Sequence, residues 1–349
     1  MDANEASILE SDQDSFDEFL QQNQDSTHLL NSSIREIQPF LLSKCPGKLN
    51  SEGHVNFALN LFKNSLPFAS IALDTSRPWL LYWSLSILTL LKMPIPDNLP
   101  FLLLLRCLSQ LHNEYYIEQE GAYGGSSSCS SSHILTTFAS LCSLALIGGP
   151  DDWSKINTQN LLAWLSRLFS PEKGVFSVHL DGGESDLRSV YAAIAIIHLL
   201  GLEKEFFHDP CSLERIQQSI ISAQSYEGGF GAIPWSHTEA HGGYTYCGLA
   251  ALVIIDRWTL SSASIDTLLP ESKMTRLLAW TCGLQSTLLG GLQGRTGKLV
   301  DACYSFWVGA IPLLLNRPTK EYIDVGLLRN YLLKACQCSS GGIRDKPPK

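Results

Sequence analysis

Charge is what this sequence has least of. Only 17% of its 349 residues are Asp, Glu, Lys or Arg, against about 25% in an average soluble domain. With 45% hydrophobic residues, that excludes a chain kept unfolded by a shortage of apolar surface. The formal net charge of −9, from 34 acids and 25 bases, argues against a general nucleic-acid binder, which needs a basic face. The imbalance is local. Residues 1–26 hold eight acids and no Lys or Arg, leaving 26 acids against 25 bases in the remainder.

Other absences narrow the class further. The N-terminus has no basic segment followed by an apolar one, so no secretory signal is expected. The apolar run at 78–91 reaches 14 residues, short of the roughly 20 needed to span a bilayer. These features predict a cytoplasmic protein whose ten cysteines are reduced thiols, most of them filling small core gaps. No P-loop, GxGxxG, HExxH or GxSxG motif occurs. Alternation of β-branched and polar residues is nearly missing, which predicts an all-α chain.

What the chain does have is a repeat. Gly-containing punctuation recurs as GAYGG at 121–125, KGVF at 173–176, EGGFGA at 227–232, LGGLQG at 289–294 and SGGIRD at 340–345. Intervals between marker glycines 125, 174, 229, 291 and 342 are 49, 55, 62 and 51 residues, the period of a repeat architecture. The widest interval contains the Ser/Thr-rich stretch 259–272, which reads as a loop insertion. An amphipathic helix precedes the glycines, as with Leu161, Leu165 and Leu168, or Ile323, Leu327, Leu328 and Tyr331. A more uniformly apolar helix follows them, roughly at 133–147, 188–202, 241–255 and 301–315. A helix that is apolar all round must be buried. The second helices are therefore predicted to line an interior and the amphipathic ones to face water, which on closing the ring gives an α/α toroid. The repeat spacing places the start of a fifth inner helix at about 350–356, beyond Lys349.

Three constellations carry candidate chemistry. Asp301 and Cys303 open the fourth inner helix with a hard oxygen and a soft sulfur, donors that zinc accepts. On spacing alone, a helix-capping Asp followed by a small buried cysteine is the simpler reading. Arg188, His241, Arg295 and Lys298 come from separate repeats but sit just before or at the starts of inner helices. In a ring these starts share one rim, where helix N-termini favour anions and a diphosphate is the natural ligand. Scattered surface bases are an equally good reading at this level. Trp79, Trp83, Tyr191, Tyr244, Tyr246, Tyr304 and Trp307 form an aromatic set that is either plain core or the wall of a pocket for a long apolar chain, with π faces for a developing carbocation.

Together these motifs are familiar. DTSRPWLLYW, DLRSVY, EGGFGA, EAHGGYTYCGLAALVI and GRTGKLVDACYSFW resemble the β subunits of protein farnesyltransferases, from about residue 50 onward. The resemblance implies an α/α toroid at 46–349 behind an acidic, flexible arm at 1–45, paired with a helical-repeat α subunit. It implies transfer of farnesyl from farnesyl diphosphate to the cysteine of C-terminal CaaX motifs. By position, Asp301 and Cys303 match two of three protein ligands to zinc. The third, a His in a YHTCY-like motif on the last inner helix, has no counterpart in this chain. Four residues (His241, Arg295, Lys298 and Tyr304) match positions that cradle the diphosphate. Arg188, Tyr191, Tyr244, Cys247 and Trp307 match the isoprenoid funnel, and Asp345 matches a carboxylate associated with Mg²⁺. Trp79 and Trp83 mark the floor of the donor and peptide pocket, and a Trp at 79 favours the 15-carbon donor. Phe138 stands where the family usually has Tyr, and Gly297 where it has Asn. Two further readings stay open: a C-terminally incomplete isoform that only binds the α subunit, and a geranylgeranyltransferase type I β subunit. An α/α-barrel terpene cyclase is disfavoured, because no DDxxD or DxDD motif is present.

Overall fold

Glycine loops cut the chain into helical hairpins. The computed structural model describes residues 47–63, 68–92, 109–234, 238–259 and 269–346, with isolated positions 35, 37, 41 and 107. In chain order the helices are α1 (Ser51–Lys63), α2 (Arg77–Leu90), α3 (Ile134–Ile147), α4 (Thr158–Leu168), α5 (Leu187–Leu200), α6 (Pro210–Ser222), α7 (Gly242–Trp258) and α8 (Glu271–Gly283). Two four-residue helices follow, α9 (Tyr304–Trp307) and α10 (Ile311–Leu314), then α11 (Val325–Asn330), which runs on into a π-type turn at Tyr331–Cys336. Most of the acidic arm and of the 259–272 stretch lies outside the described residues. Ile37, in a helical position, is buried beside Leu289, Val300 and Tyr331.

Burial separates the two kinds of helix as their sequences predict. On α4 one stripe is buried, Leu161, Trp164, Leu165 and Leu168. On α3 and α5 the buried positions run round the cylinder and include small residues such as Ser140, Ser143, Ala192 and Ala193. These inner helices pack on one another across the intervening outer helix: α2 on α3, α3 on α5, α5 on α7, and α7 on α9 and α10. Small side chains permit that close approach. The starts of α3, α5 and α7 are capped in the same way. His133 and His241 accept the amide protons of Leu135 and Gly243 at Nδ1, and Asp186 accepts that of Arg188. Such caps satisfy otherwise unpaired helix N–H groups.

Outer helices are tied in a ring by a second repeated device. Gly341, with φ +95°, lies so close to α1 that an added Cβ would sit 1.9 Å from the carbonyl oxygen of Gly53. No residue but glycine fits there. The same contact recurs where Gly121, Gly174, Gly228 and Gly290 meet the backbones of α4, α6, α8 and α11 in turn. A glutamine then straps three of these five contacts. Gln224 Nε2 donates to the carbonyls of Gly228 and Lys273, and Gln285 Nε2 to those of Gly290 and Asp324. Gln337 Nε2 donates to the carbonyl of Lys48, while its Oε1 accepts from the amide of Asn50. His54, buried at the same seam, accepts the Gly342 amide at Nδ1, so its Nε2 carries the proton and donates to Gln337 Oε1 at 3.0 Å. The last repeat thus grips the first.

Four expectations need correction. The inner helix foreseen at 301–315 is not continuous: Pro312 has no N–H to offer the Val308 carbonyl, and the ladder breaks between α9 and α10. Two glycine loops are two-residue antiparallel hairpins, Tyr116–Ile117 with Ala122–Tyr123 and Phe169–Ser170 with Val175–Phe176. The nine described cysteines are free thiols, but only Cys247 and Cys336 are buried, while Cys211, Cys282 and Cys303 are exposed. Leu327 is exposed rather than part of its helix's buried face. The seam makes a prediction. Gly182 also has a positive φ (+87°), but a Cβ added there would meet no atom within 4 Å, so Gly182→Ala costs only backbone strain of about 1–2 kcal/mol. Gly341→Ala must also move α1 and should lower the melting temperature distinctly further. Equal shifts for the two variants would contradict closure at this contact.

Candidate active site

The shared N-cap position brings functional groups to one rim. At the start of α7, His241 Nδ1 accepts the Gly243 amide proton at 3.0 Å, which leaves the proton of the neutral ring on Nε2. That nitrogen lies 3.1 Å from the hydroxyl oxygen of Tyr304 on α9. The backbone amide thus fixes the tautomer, Nε2–H donates to Tyr304, and the tyrosine's own proton is turned outward for another acceptor. Burial, with Arg295 nearby, holds His241 below the ordinary histidine range, and burial raises Tyr304. Both effects keep the relay neutral and protonated in this order. Gly294 makes room for it: the Tyr304 ring occupies the place of a Cβ at that position.

The three cations predicted for the rim are held differently. Arg188 commits Nε and Nη2 to Asp186, and Nη2 also to Glu184 at 2.9 Å. Its guanidinium carbon sits 5.5 Å from the centroid of the Tyr244 ring. Among the described residues Arg295 bonds only Glu239, from Nη1 to Oε2 at 2.9 Å. Lys298 is exposed and pairs with no carboxylate among the described residues. An incoming anion therefore finds its free donors at Arg295 and Lys298, whereas Arg188 is already neutralised. Glu184, Asp186 and Glu239 were not among the predicted site residues. Their signal was present, since each lies two to four residues before a predicted rim residue in ESDLR or EAH.

One helical turn further in runs an aromatic belt. Trp83 contacts Trp79 (5.5 Å between ring centroids), Trp79 contacts Phe138 (5.9 Å), Phe138 contacts Tyr191 (5.5 Å), Tyr191 contacts Tyr246 (6.1 Å), and Tyr246 contacts Trp307 (5.2 Å). These rings come from α2, α3, α5, α7 and α9, one stretch of wall from each inner helix. Five residues from His241 to Tyr246 place the belt about 7–8 Å inside the rim along the helix axis. Phe306, beside Tyr246 at 4.9 Å, is a further member that the sequence pattern did not single out. Cys247 is buried, and burial pushes its thiol up to about 12, which disfavours the thiolate. Tyr244 and Tyr304 belong to the rim, against His241 at 5.2 and 5.6 Å.

Asp301, Cys303 and Asp345 also come together. Asp301 Oδ1 accepts the Cys303 amide proton at 2.9 Å, as a capping Asp does. The carbonyl of Asp345 accepts from the Ala302 amide at 2.7 Å. Lys346 Nζ bridges the Asp301 and Asp345 carboxylates at 3.3 and 3.5 Å. Partial burial and a hydrogen bond to Asp301 push the Cys303 thiol up to about 12. Among the described residues no group of three His, Cys, Asp or Glu side chains is placed to hold a metal ion.

Paired helices thus present a cationic, proton-donating rim over an aromatic wall. The profile of the prenyltransferase alpha-alpha toroid domain matches residues 49–349, and the chain belongs to that family. It is 34% identical over 340 residues to the protein farnesyltransferase subunit beta of Schizosaccharomyces pombe, covering 94% of this chain and 78% of that protein. It is 37% identical over 249 residues to the protein of the same name from Arabidopsis thaliana, covering 70% of this chain and 45% of the relative. The Arabidopsis thaliana geranylgeranyl transferase type-1 subunit beta is 36% identical over 220 residues, with 62% and 54% covered. The chain thus spans about half the length of the two plant relatives. Among solved structures, Candida albicans protein geranylgeranyltransferase-I complexed with GGPP superposes with a TM-score of 0.71 at 22% identity, over 86% of this chain and 87% of that one, which supports the fold.

The cap histidines make the rim sensitive to acid. Burial lowers His133 as well as His241 from the ordinary 6.5, and both use Nδ1 as the cap acceptor, which protonation removes. As pH falls through 6.5 the unfolded chain takes up protons first, so stability falls. The contribution is complete above pH 6.5 and is lost below it. Asn accepts the same cap bond without titrating. A chain carrying both His133→Asn and His241→Asn should show a flatter fall of melting temperature between pH 7 and pH 5; an unchanged slope would contradict the tautomer assignment.

Proposed function

We propose that this chain is the catalytic β subunit of a protein farnesyltransferase, paired with an α subunit and moving farnesyl from farnesyl diphosphate to the cysteine thiol of a CaaX C-terminus. One observation carries the reading: the aromatic belt lies one helical turn inside a rim whose free donors are Arg295, Lys298 and the Tyr304 hydroxyl. That depth matches a molecule with a doubly charged head and an isoprenoid tail.

Each residue then has a task. Arg295 and Lys298 bind the diphosphate, where negative charge grows as the carbon–oxygen bond breaks. The outward proton of Tyr304, oriented through His241, hydrogen-bonds the departing oxygen. The belt faces the isoprenoid and offers π density to the carbon that becomes electron-poor. Trp79 and Trp83 end the belt on α2 and limit tail length. Arg188, neutralised by its two carboxylates, shapes the wall rather than binding the head. No helix among the described residues is long and apolar enough to cross a membrane.

The zinc that relatives of this class use in activating the thiol is a separate matter. Asp301 and Cys303 supply two donors, where catalytic zinc sites have three protein ligands, and Lys346 already holds Asp301. Asp345 offers Mg²⁺ a single carboxylate that also pairs with Lys346. The described residues alone fit neither ion. What they account for is the donor half of the reaction: binding, orientation and stabilisation of the leaving group.

The reading is tested with the full chain produced together with an α subunit, a CaaX peptide, and farnesyl or geranylgeranyl diphosphate in competition. Farnesyl transfer should dominate, and Trp79→Ala should shift the preference toward the longer donor by about tenfold or more, since one ring's worth of pocket opens. Arg295→Gln should weaken donor use by about 10- to 100-fold, and Arg188→Gln by much less. Transfer of geranylgeranyl but not farnesyl by the unaltered chain would refute the donor assignment.

A further inference from the structure

The turn that carries Arg295 and Lys298 is held by the preceding repeat. Its root is a pairing between Gln293 and Val300 and a 2.8 Å bond from the Gly242 amide to the Gly294 carbonyl. Beyond the root its backbone makes one internal bond, from the Lys298 amide to the Arg295 carbonyl at 3.3 Å. Thr296, Gly297 and Lys298 are exposed, and a Cβ added at Gly297 would meet no atom within 4 Å. Two carboxylates reach across from the loop between α6 and α7. Glu239 Oε2 accepts from Arg295 Nη1 at 2.9 Å, and Glu227 Oε2 accepts from Thr296 Oγ1 at 2.8 Å.

How Glu239 holds the arginine matters more than that it does so. A guanidinium binds phosphate best through a pair of parallel N–H groups, as along its Nε–Nη2 edge. In Arg188 that edge is consumed by Asp186 and Glu184. In Arg295 the carboxylate takes Nη1 and leaves Nε and Nη2 without a protein partner among the described residues. Both Arg295 and Glu239 are about two-fifths exposed (43% and 41%), so their pairing adds little stability. Its consequence is orientation.

We propose that Glu239 and Glu227 are positioning residues for the anion site: Glu239 grips Arg295 from behind and presents its free edge to the diphosphate, while Glu227 steadies the turn through Thr296. The inference rests on the proposed reading of this rim as a diphosphate site. It runs against simple charge counting, by which an acid beside an anion site weakens binding through repulsion. Removing the charge of Glu239 therefore separates the two effects by sign.

The test is a titration of farnesyl diphosphate into the full chain paired with its α subunit, for the unaltered protein, Glu239→Gln, Arg295→Gln and the double variant. Glu239→Gln should weaken binding by about five- to tenfold. In the Arg295→Gln background it should have no further effect, because the residue it positions is gone. Glu227→Gln should weaken binding by a smaller factor. Unchanged or tighter binding by Glu239→Gln would overturn the inference and leave the proposed function standing, as would an equal loss in the Arg295→Gln background. Failure of the unaltered complex to bind farnesyl diphosphate would overturn both.

Discussion

The ring depends on backbone meeting backbone at glycine. Where Gly341 touches α1, and where Gly121, Gly174, Gly228 and Gly290 touch the next outer helix, no side chain separates the two segments. The separation of neighbouring outer helices is thus set by main-chain contact and by the glutamine straps, not by adjustable packing. An outer layer spaced in this way holds the inner helices at a matching pitch. Small buried residues on α3 and α5 let the inner helices approach one another closely.

From that constraint the site follows. From α3 to α9 the inner helices start after glycine loops, so their caps are drawn to one end of the ring. His133, Asp186 and His241 occupy equivalent cap positions, and Asp301 caps the start of the next unit. The same geometry that satisfies unpaired helix amides sets the tautomer of His241 and through it the direction of the Tyr304 hydrogen bond. Positions one turn along from each cap all face inward at one depth, and at that depth the chain places Trp79, Phe138, Tyr191, Tyr246 and Trp307. Polar rim and apolar belt are consecutive turns of the same helices, which explains why their separation is fixed.

Much of this was legible in the residues. The period, the all-α class and the distinction between apolar and amphipathic helices follow from pattern, because a repeat converts sequence spacing into angular position, whereas pattern alone left a basic rim and scattered surface bases equally open. The resemblance to farnesyltransferase β subunits supplied the roles. Ion pairing was not legible: Arg188 and Arg295 look alike in sequence, and only their partners' reach shows one to be engaged and the other available. The break between α9 and α10 could have been foreseen from Pro312, had its missing amide been weighed against the apolar run. The straps carried a signal too, a glutamine four or five residues ahead of three of the five docking glycines, in AQSYEGG, LQSTLLGG and CQCSSGG.

The central claim is that an isoprenoid lies along the aromatic belt with its diphosphate at Arg295 and Lys298. A farnesyl diphosphate analogue bearing a photoreactive group at the far end of its tail would test this most directly, through mass-spectrometric mapping of the labelled residues after irradiation. The account predicts labelling on α2 and α3, at Trp79, Trp83 or Phe138, suppressed by excess farnesyl diphosphate. Competable labelling confined to the outer helices α6, α8 or α11 would contradict it.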